Sequence, residues 1–202
     1  MSTAPSTPAA PPTPAAQTVW NVPNQITLLR LALAIVLFVL LEFDLYLIGM
    51  AVFLVAACTD WIDGYWARKY GQVTKLGRVL DPFVDKIIIC GAFIFLAAID
   101  GSGIFAWMAV IVVGRELFVT ALRSFLEGEG ADFSAVMSGK LKMVLQCTAV
   151  AVSLFALSYL EPAARPQWLQ WLLVLSIWSA MALTVYSGVE YVRRAITLTT
   201  SA

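Results

Sequence analysis

From residue 20 onward, long apolar stretches alternate with short polar connections, a pattern that predicts six helices. The apolar segments run 26–41, 45–67, 82–99, 104–126, 138–160 and 167–191. A hydrocarbon core of about 30 Å needs roughly 20 residues of helix to cross it. The stretch 167–189 holds no charged residue and meets that length outright, and 143–160 is also uncharged and spans with slight tilt. In the earlier segments charges intrude at one end of each.

Those ends are not random. Lys69, Lys75 and Arg78 lie between the second and third segments, Lys140 and Lys142 open the fifth, and Arg193 and Arg194 follow the sixth. The opposite connections hold Glu42 and Asp44, then Asp100, then Glu161 with a lone Arg165. Lys and Arg in short loops collect on the cytoplasmic side. The expected fold is therefore an all-α integral membrane protein of six transmembrane helices with both termini cytoplasmic. A short interfacial segment, WNVPNQ at 20–25, is expected to precede them, with Trp20 as anchor, Pro23 near a helix start and Asn24 as candidate cap.

Residues 1–18 contain five prolines and no charge, which predicts a disordered tail. They lack the basic and apolar regions of a signal peptide. The expected organisation is this tail, a six-helix domain over 19–195, and a C-terminal tail over 196–202. No internal repeat points to an inverted-repeat transporter.

Composition narrows the chemistry. Of 202 residues, 60% are hydrophobic and 13% charged, whereas soluble domains carry about 25% charged residues. An ordinary soluble enzyme is excluded. Thirteen basic against thirteen acidic residues give no net field for nucleic acid. With no histidine, His triads, His bases and His metal sites are ruled out. Cys58, Cys90 and Cys147 lie in apolar stretches without a CxxC pair and read as small packing residues.

The informative passage spans 60–85, DWIDGYWARKYGQVTKLGRVLDPFVD. Asp60 and Asp63 are spaced i,i+3, and Asp81 and Asp85 i,i+4, so each pair shares a helical face. A short connection lets the two helices pack antiparallel with the pairs facing. Four converging carboxylates need cations, and hard Mg²⁺ or Mn²⁺ suits oxygen donors. Gly64 and Ala67 follow Asp60 and Asp63 by four positions and leave room for a ligand. Arg68, one turn after Gly64, suits a phosphate. Gly77 reads as a turn residue in the connecting loop. Taken singly, each Asp also reads as a solvated charge at a helix end, and Asp81–Pro82 as a plain helix start.

In its skeleton, D-x2-D-G-x2-A-R-x8-G-x3-D-x3-D, this stretch resembles the signature of the CDP-alcohol phosphotransferase family, and the six-helix pattern extends the likeness over about 20–194. The resemblance implies transfer of a substituted phosphate from a CDP-alcohol to a second alcohol, with release of CMP. It implies two divalent ions, the first on Asp60, Asp63 and Asp81, the second on Asp60, Asp81 and Asp85, with Asp85 also the general base. Gly64, Arg68 and Thr74, together with Asn24 and Thr27 of NQIT, match positions that contact the CDP-lipid, and Ala67 and Gly77 are placed with them. A homodimer in a bacterial cell membrane, with the site facing the cytoplasm, is implied as well.

The acceptor is read from NVPNQITLLR, from Gly114-Arg115-Glu116 with Leu122-Arg123, and from SGKLK at 138–142. These resemble members that accept sn-glycerol 3-phosphate, with CDP-diacylglycerol as donor. Arg115 and Arg123, eight apart and so about 80° apart around a helix axis, together with Lys140 suit a dianionic phosphate. Lys140 and Lys142 also read as topology signals or lipid-headgroup contacts. Arg115 also reads as a partner for a carboxylate, although Glu116 is a poor candidate because adjacent helix residues point apart. The tryptophans read as interfacial belt residues, the glycines flanking Glu129 as a plain turn, and Arg193 and Arg194 as topology anchors. An inositol phosphate acceptor keeps the same chemistry. A divalent-cation transporter is the alternative of another class, against which stand the carboxylates at helix ends and the nearby arginines.

Overall fold

The computed structural model describes residues 22–70, 77–128, 137–159 and 162–200, with side chains described for these except 22–24, 60–70, 77–82, 85, 127, 162 and 198–200. Six α-helices carry the fold: α1 Val22–Glu42, α2 Tyr46–Tyr70, α3 Gly77–Ala98, α4 Ala106–Gly128, α5 Met137–Leu157 and α6 Gln167–Thr200. A single 3-10 turn, Pro162–Ala164, precedes α6, and no strand occurs among the described residues.

α1 packs on α2 and α3, α3 on α4 and α5, α5 on α2 and α6, and α4 on α6. Side-chain contacts fix the directions. Phe38 late in α1 stacks on Phe95 late in α3 (5.0 Å between centroids), so those two helices run parallel. Gly49 early in α2 faces Leu37 and Leu41 late in α1, and Ser138 at the start of α5 meets Glu190 late in α6. Odd helices therefore run one way and even helices the other. The first turns of α1, α3 and α5 share one end of the bundle with the last turns of α2, α4 and α6.

At the opposite end the connections are tight. Asp44 takes a left-handed conformation (φ 57°) between α1 and α2, which an Asp side chain tolerates. Gly103 turns at φ 77° between α3 and α4, and a Cβ there would stand 2.9 Å from Ile177 Cδ1. Arg165 donates to the Gly101 carbonyl at 2.7 Å, and Ser153 on α5 donates to the Ser102 carbonyl at 2.7 Å. These two bonds tie the α5–α6 connection and α5 to the α3–α4 turn.

Polarity runs opposite to that of a soluble bundle. Val110 and Leu175 are 70% and 69% exposed on the outside, while Thr184, Ser187 and Gln146 are buried within. Gln146 donates to Thr184 at 2.9 Å, so these two interior polar groups satisfy each other across helices. Such an apolar exterior calls for an apolar solvent.

Among the described residues, three helices are long and apolar enough to cross a membrane by length and composition: Gln25–Glu42, Met137–Leu157 and Gln167–Thr197. Tyr46–Thr59 and Lys86–Ala98 are shorter apolar helices. The expected six apolar spans are thus met in part. α2, α3 and α4 have the length, at 25, 22 and 23 residues, but each gives part of it to charged residues at the shared end.

Three boundary expectations are corrected. From Val22 the chain is already α1, so Asn24 lies in the first helical turn instead of capping it, and 22–25 form no separate interfacial segment. Pro23 permits this, because the first N–H groups of a helix lack intrahelical partners in any case. Likewise α3 begins at Gly77, so Gly77 is helical, and Pro82 falls inside α3 where it withholds a donor from the Arg78 carbonyl. α6 also continues well past Tyr191, since nothing between 192 and 200 breaks a helix.

Candidate functional site

The helical register puts the four motif carboxylates at the shared end. Asp60 and Asp63 stand in the later half of α2, Asp81 and Asp85 in the first turns of α3. Each pair lies on continuous helix, as the i,i+3 and i,i+4 spacings require. Gly64, Ala67 and Arg68 follow on α2. The side chains of Asn24, Asp60, Asp63, Arg68, Asp81 and Asp85, and Thr74 altogether, lie outside the described residues. Among the described residues no group of three or more His, Cys, Asp or Glu is placed to hold a metal. The motif's donor set, four carboxylates on two helices, fits a hard divalent cation by its chemistry.

Beside these helices, at the same end, α4, α5 and α6 build a charged interior. Lys142 on α5 is 5% exposed, and its ammonium donates to Glu116 Oε1 on α4. Arg115 Nη1 donates to that same oxygen at 3.2 Å. This corrects the expectation that Glu116 is a poor partner for Arg115. Their Cβ atoms diverge, but both side chains are long enough to curl back when a third group, Lys142, holds the carboxylate. Arg115 Nη2 donates to Ser187 Oγ on α6 at 2.9 Å. Arg123 Nη2 reaches Tyr191 Oη at 3.3 Å, and the Arg115 and Arg123 guanidinium carbons lie 5.5 and 6.0 Å from the Tyr191 ring centroid.

Arg115 and Lys142 share Glu116, Arg115 and Arg123 stand against the Tyr191 ring, and Glu190 accepts from the Ser138 hydroxyl. Cations gathered in a poorly solvated interior favour an anion. Cys90 on α3 lies within electrostatic reach of Glu116, Lys142 and Lys86, which brings this cluster beside the helix that carries Asp81 and Asp85. An open groove of about 420 Å³ between α4 and α6 runs along Gly114, Arg115, Thr184 and Gly188.

The expected site residues divide accordingly. Arg115 and Arg123 come together on one ring. Lys140 is exposed on α5, whereas Lys142 is the buried lysine. Thr27 is buried on α1, and one turn on Arg30, 1% exposed, is buried with it. Sequence reasoning missed Arg30, although a lone charge inside an apolar segment was a signal. It also passed over Ser187, Glu190 and Tyr191.

Residues 20–186 match the CDP-alcohol phosphatidyltransferase family. The chain is 36% identical over 187 residues to a Bacillus subtilis protein named CDP-diacylglycerol--glycerol-3-phosphate 3-phosphatidyltransferase, covering 85% of this chain and 93% of that one. A Pseudomonas fluorescens protein of the same name is 34% identical over 87% of this chain and 90% of its own. A Mycobacterium tuberculosis protein named as a probable phosphatidylglycerophosphate synthase is 36% identical over 87% of this chain and 82% of its own. With most of its length matched on both counts, the chain belongs to the CDP-alcohol phosphatidyltransferase family.

Proposed function

We propose that this protein transfers the phosphatidyl group of CDP-diacylglycerol to sn-glycerol 3-phosphate, giving phosphatidylglycerophosphate and CMP. The observation that carries the reading is the cluster of Arg115, Arg123 and Lys142 at the motif end of the bundle. An acceptor bearing its own phosphate is the substrate such a cluster selects, and serine is not. The names of the relatives agree.

In this reading a primary hydroxyl of glycerol 3-phosphate attacks the lipid-side phosphorus of the donor. A new P–O bond to the acceptor forms as the pyrophosphate P–O bond breaks, and the electron pair leaves with CMP. Asp85 accepts the hydroxyl proton. Asn24, Thr27, Gly64, Ala67, Arg68, Thr74 and Gly77 receive the CDP-lipid. Arg115 and Arg123 hold the acceptor phosphate, while Lys140 draws it in from the aqueous side. Asp60, Asp63 and Asp81 would hold one divalent ion and Asp60, Asp81 and Asp85 a second, Mg²⁺ or Mn²⁺, whose chemistry is to neutralise pyrophosphate charge.

The helices cross the membrane six times, with the motif end, both termini and the site in the cytoplasm of a bacterial cell, as a homodimer. Support comes from the segregation of Lys and Arg to that end and from helices of 21 residues or more, about 30 Å or more at 1.5 Å per residue.

The test is CMP release by detergent-purified protein with CDP-diacylglycerol and Mg²⁺, adding one acceptor at a time. Release that requires glycerol 3-phosphate and stops with EDTA is expected. Release only with inositol phosphate or another alcohol would overturn the acceptor. No release with any acceptor from folded protein would overturn the reaction.

A further inference from the structure

Arg115 and Arg123 present a geometric problem that α4 alone does not solve. Eight residues of helix separate them by about 12 Å of rise and about 80° of turn. Like charges at that separation gain by splaying apart, yet both guanidinium carbons lie against one aromatic ring, at 5.5 and 6.0 Å from its centroid. The ring belongs to Tyr191 on α6, a residue 3% exposed. The negative face of an aromatic ring attracts cations, most strongly where water is absent, so it offsets their mutual repulsion.

The ring itself is held from several sides. Val119 and Leu126 of α4 and Ala195 of α6 pack with it as a small buried cluster. On the α5 side Gly139 makes room: a Cβ there would stand 3.3 Å from Tyr191 Oη. The hydroxyl accepts from Arg123 Nη2 at 3.3 Å. One turn earlier on α6, Ser187 accepts from Arg115 Nη2 and donates to the Thr184 carbonyl at 3.1 Å. Glu116 fixes the other terminal nitrogen of Arg115.

We infer that Tyr191 is a positioning residue whose ring holds the Arg115 and Arg123 guanidiniums together as a single clamp for a phosphate. The inference rests on the proposed function for the identity of that phosphate as the acceptor's. Tyr191 touches no reacting atom; it sets where the two arginines stand.

The test uses the full chain in detergent with Tyr191→Phe, which keeps the ring, and Tyr191→Leu, which keeps apolar bulk without a π face. Tyr191→Leu is expected to raise KM for glycerol 3-phosphate about tenfold or more, and Tyr191→Phe less than about threefold. KM for CDP-diacylglycerol stays within about twofold in both, a split that a general packing defect would not produce. A second readout needs no acceptor: inorganic phosphate should raise the Tm of the parent and Tyr191→Phe proteins but not of Tyr191→Leu. That shift tests the clamp even if glycerol 3-phosphate proves to be the wrong acceptor. Should Tyr191→Leu fail to fold, Tyr191→Met, apolar and without a π face, should give the same split. Equal rises in both KM values, a fall in kcat alone, or an unchanged phosphate shift in Tyr191→Leu would overturn the inference.

Discussion

Lys142 of α5 donates to Glu116 of α4, on the same carboxylate oxygen that receives Arg115. One carboxylate thus serves two cations in a region where the Lys142 and Glu116 side chains are 6% and 12% exposed. Removing the shared anion leaves two buried charges facing each other. Removing Lys142 leaves Glu116 still paired with Arg115.

The two substitutions should therefore differ in severity. Glu116→Gln is expected to destabilise the protein by about 3–5 kcal/mol, as breaking a buried pair does. Lys142→Met should cost less than half of that, since no charge is orphaned. In the Lys142→Met background, Glu116→Gln should cost measurably less than alone. Thermal unfolding in detergent of the four proteins in this cycle gives the coupling directly. Equal costs for the two single variants would show that Glu116 is not the shared counter-ion.

The carboxylate motif makes a chemical prediction. Asp85→Asn should lower CMP release by about 10²–10⁴-fold, the usual worth of a general base, and Asp81→Asn should abolish metal-dependent turnover. Both should fold. Excess Mg²⁺ or Mn²⁺ should rescue neither, whereas it should restore the EDTA-treated parent. Full activity in either variant would refute the assigned roles.

How far the sequence could be read depends on what each residue's neighbours decide. Segment boundaries for α2, α4 and α5 fall close to the observed helices, because apolar runs between charged connections are a local property. The starts of α1 and α3 were misplaced because Pro23, Pro82 and Gly77 look like helix limits locally, yet each is tolerated within the helix. Lys140 and Lys142 stand two positions apart on α5, about 200° around its axis. Only the packing of α5 on α2, α3 and α6, with Glu116 of α4 within reach, decides which of them is buried, so spacing could not select Lys142. Ser187 and Tyr191 carry no charge and sit in a long apolar stretch, where nothing distinguishes them until α4 is laid alongside. Arg30 was legible as a charge within an apolar segment.

The exposed Lys140 and the half-buried Arg115 should separate under salt. Lys140→Gln is expected to raise KM for glycerol 3-phosphate by about threefold at low ionic strength, an effect that fades as the Debye length shrinks to about 3 Å at 1 M salt. Arg115→Gln should raise the same KM far more, with little salt dependence, because a direct short-range grip is screened less than long-range attraction. KM measured across a salt series for both variants distinguishes steering from direct grip. A salt-independent Lys140→Gln effect would place that lysine on the phosphate itself.

The last prediction concerns the packing that holds α1 against α3. Gly91 of α3 lies under the Phe38 ring of α1 so closely that a Cβ would overlap it. Phe38 cannot swing aside freely, since it stacks on Phe95, one turn along α3, with an interplanar angle of 3°. Gly91→Ala should therefore cost about 1–3 kcal/mol by overpacking, although Ala normally favours a helix interior over Gly by about 0.5–1 kcal/mol. In a Phe38→Ala background the obstruction is gone, and only the helix preference remains. There Gly91→Ala should become neutral or stabilising. A cost of the same size in both backgrounds, measured by thermal unfolding, would mean that the close approach of Gly91 to Phe38 does not set the α1–α3 spacing.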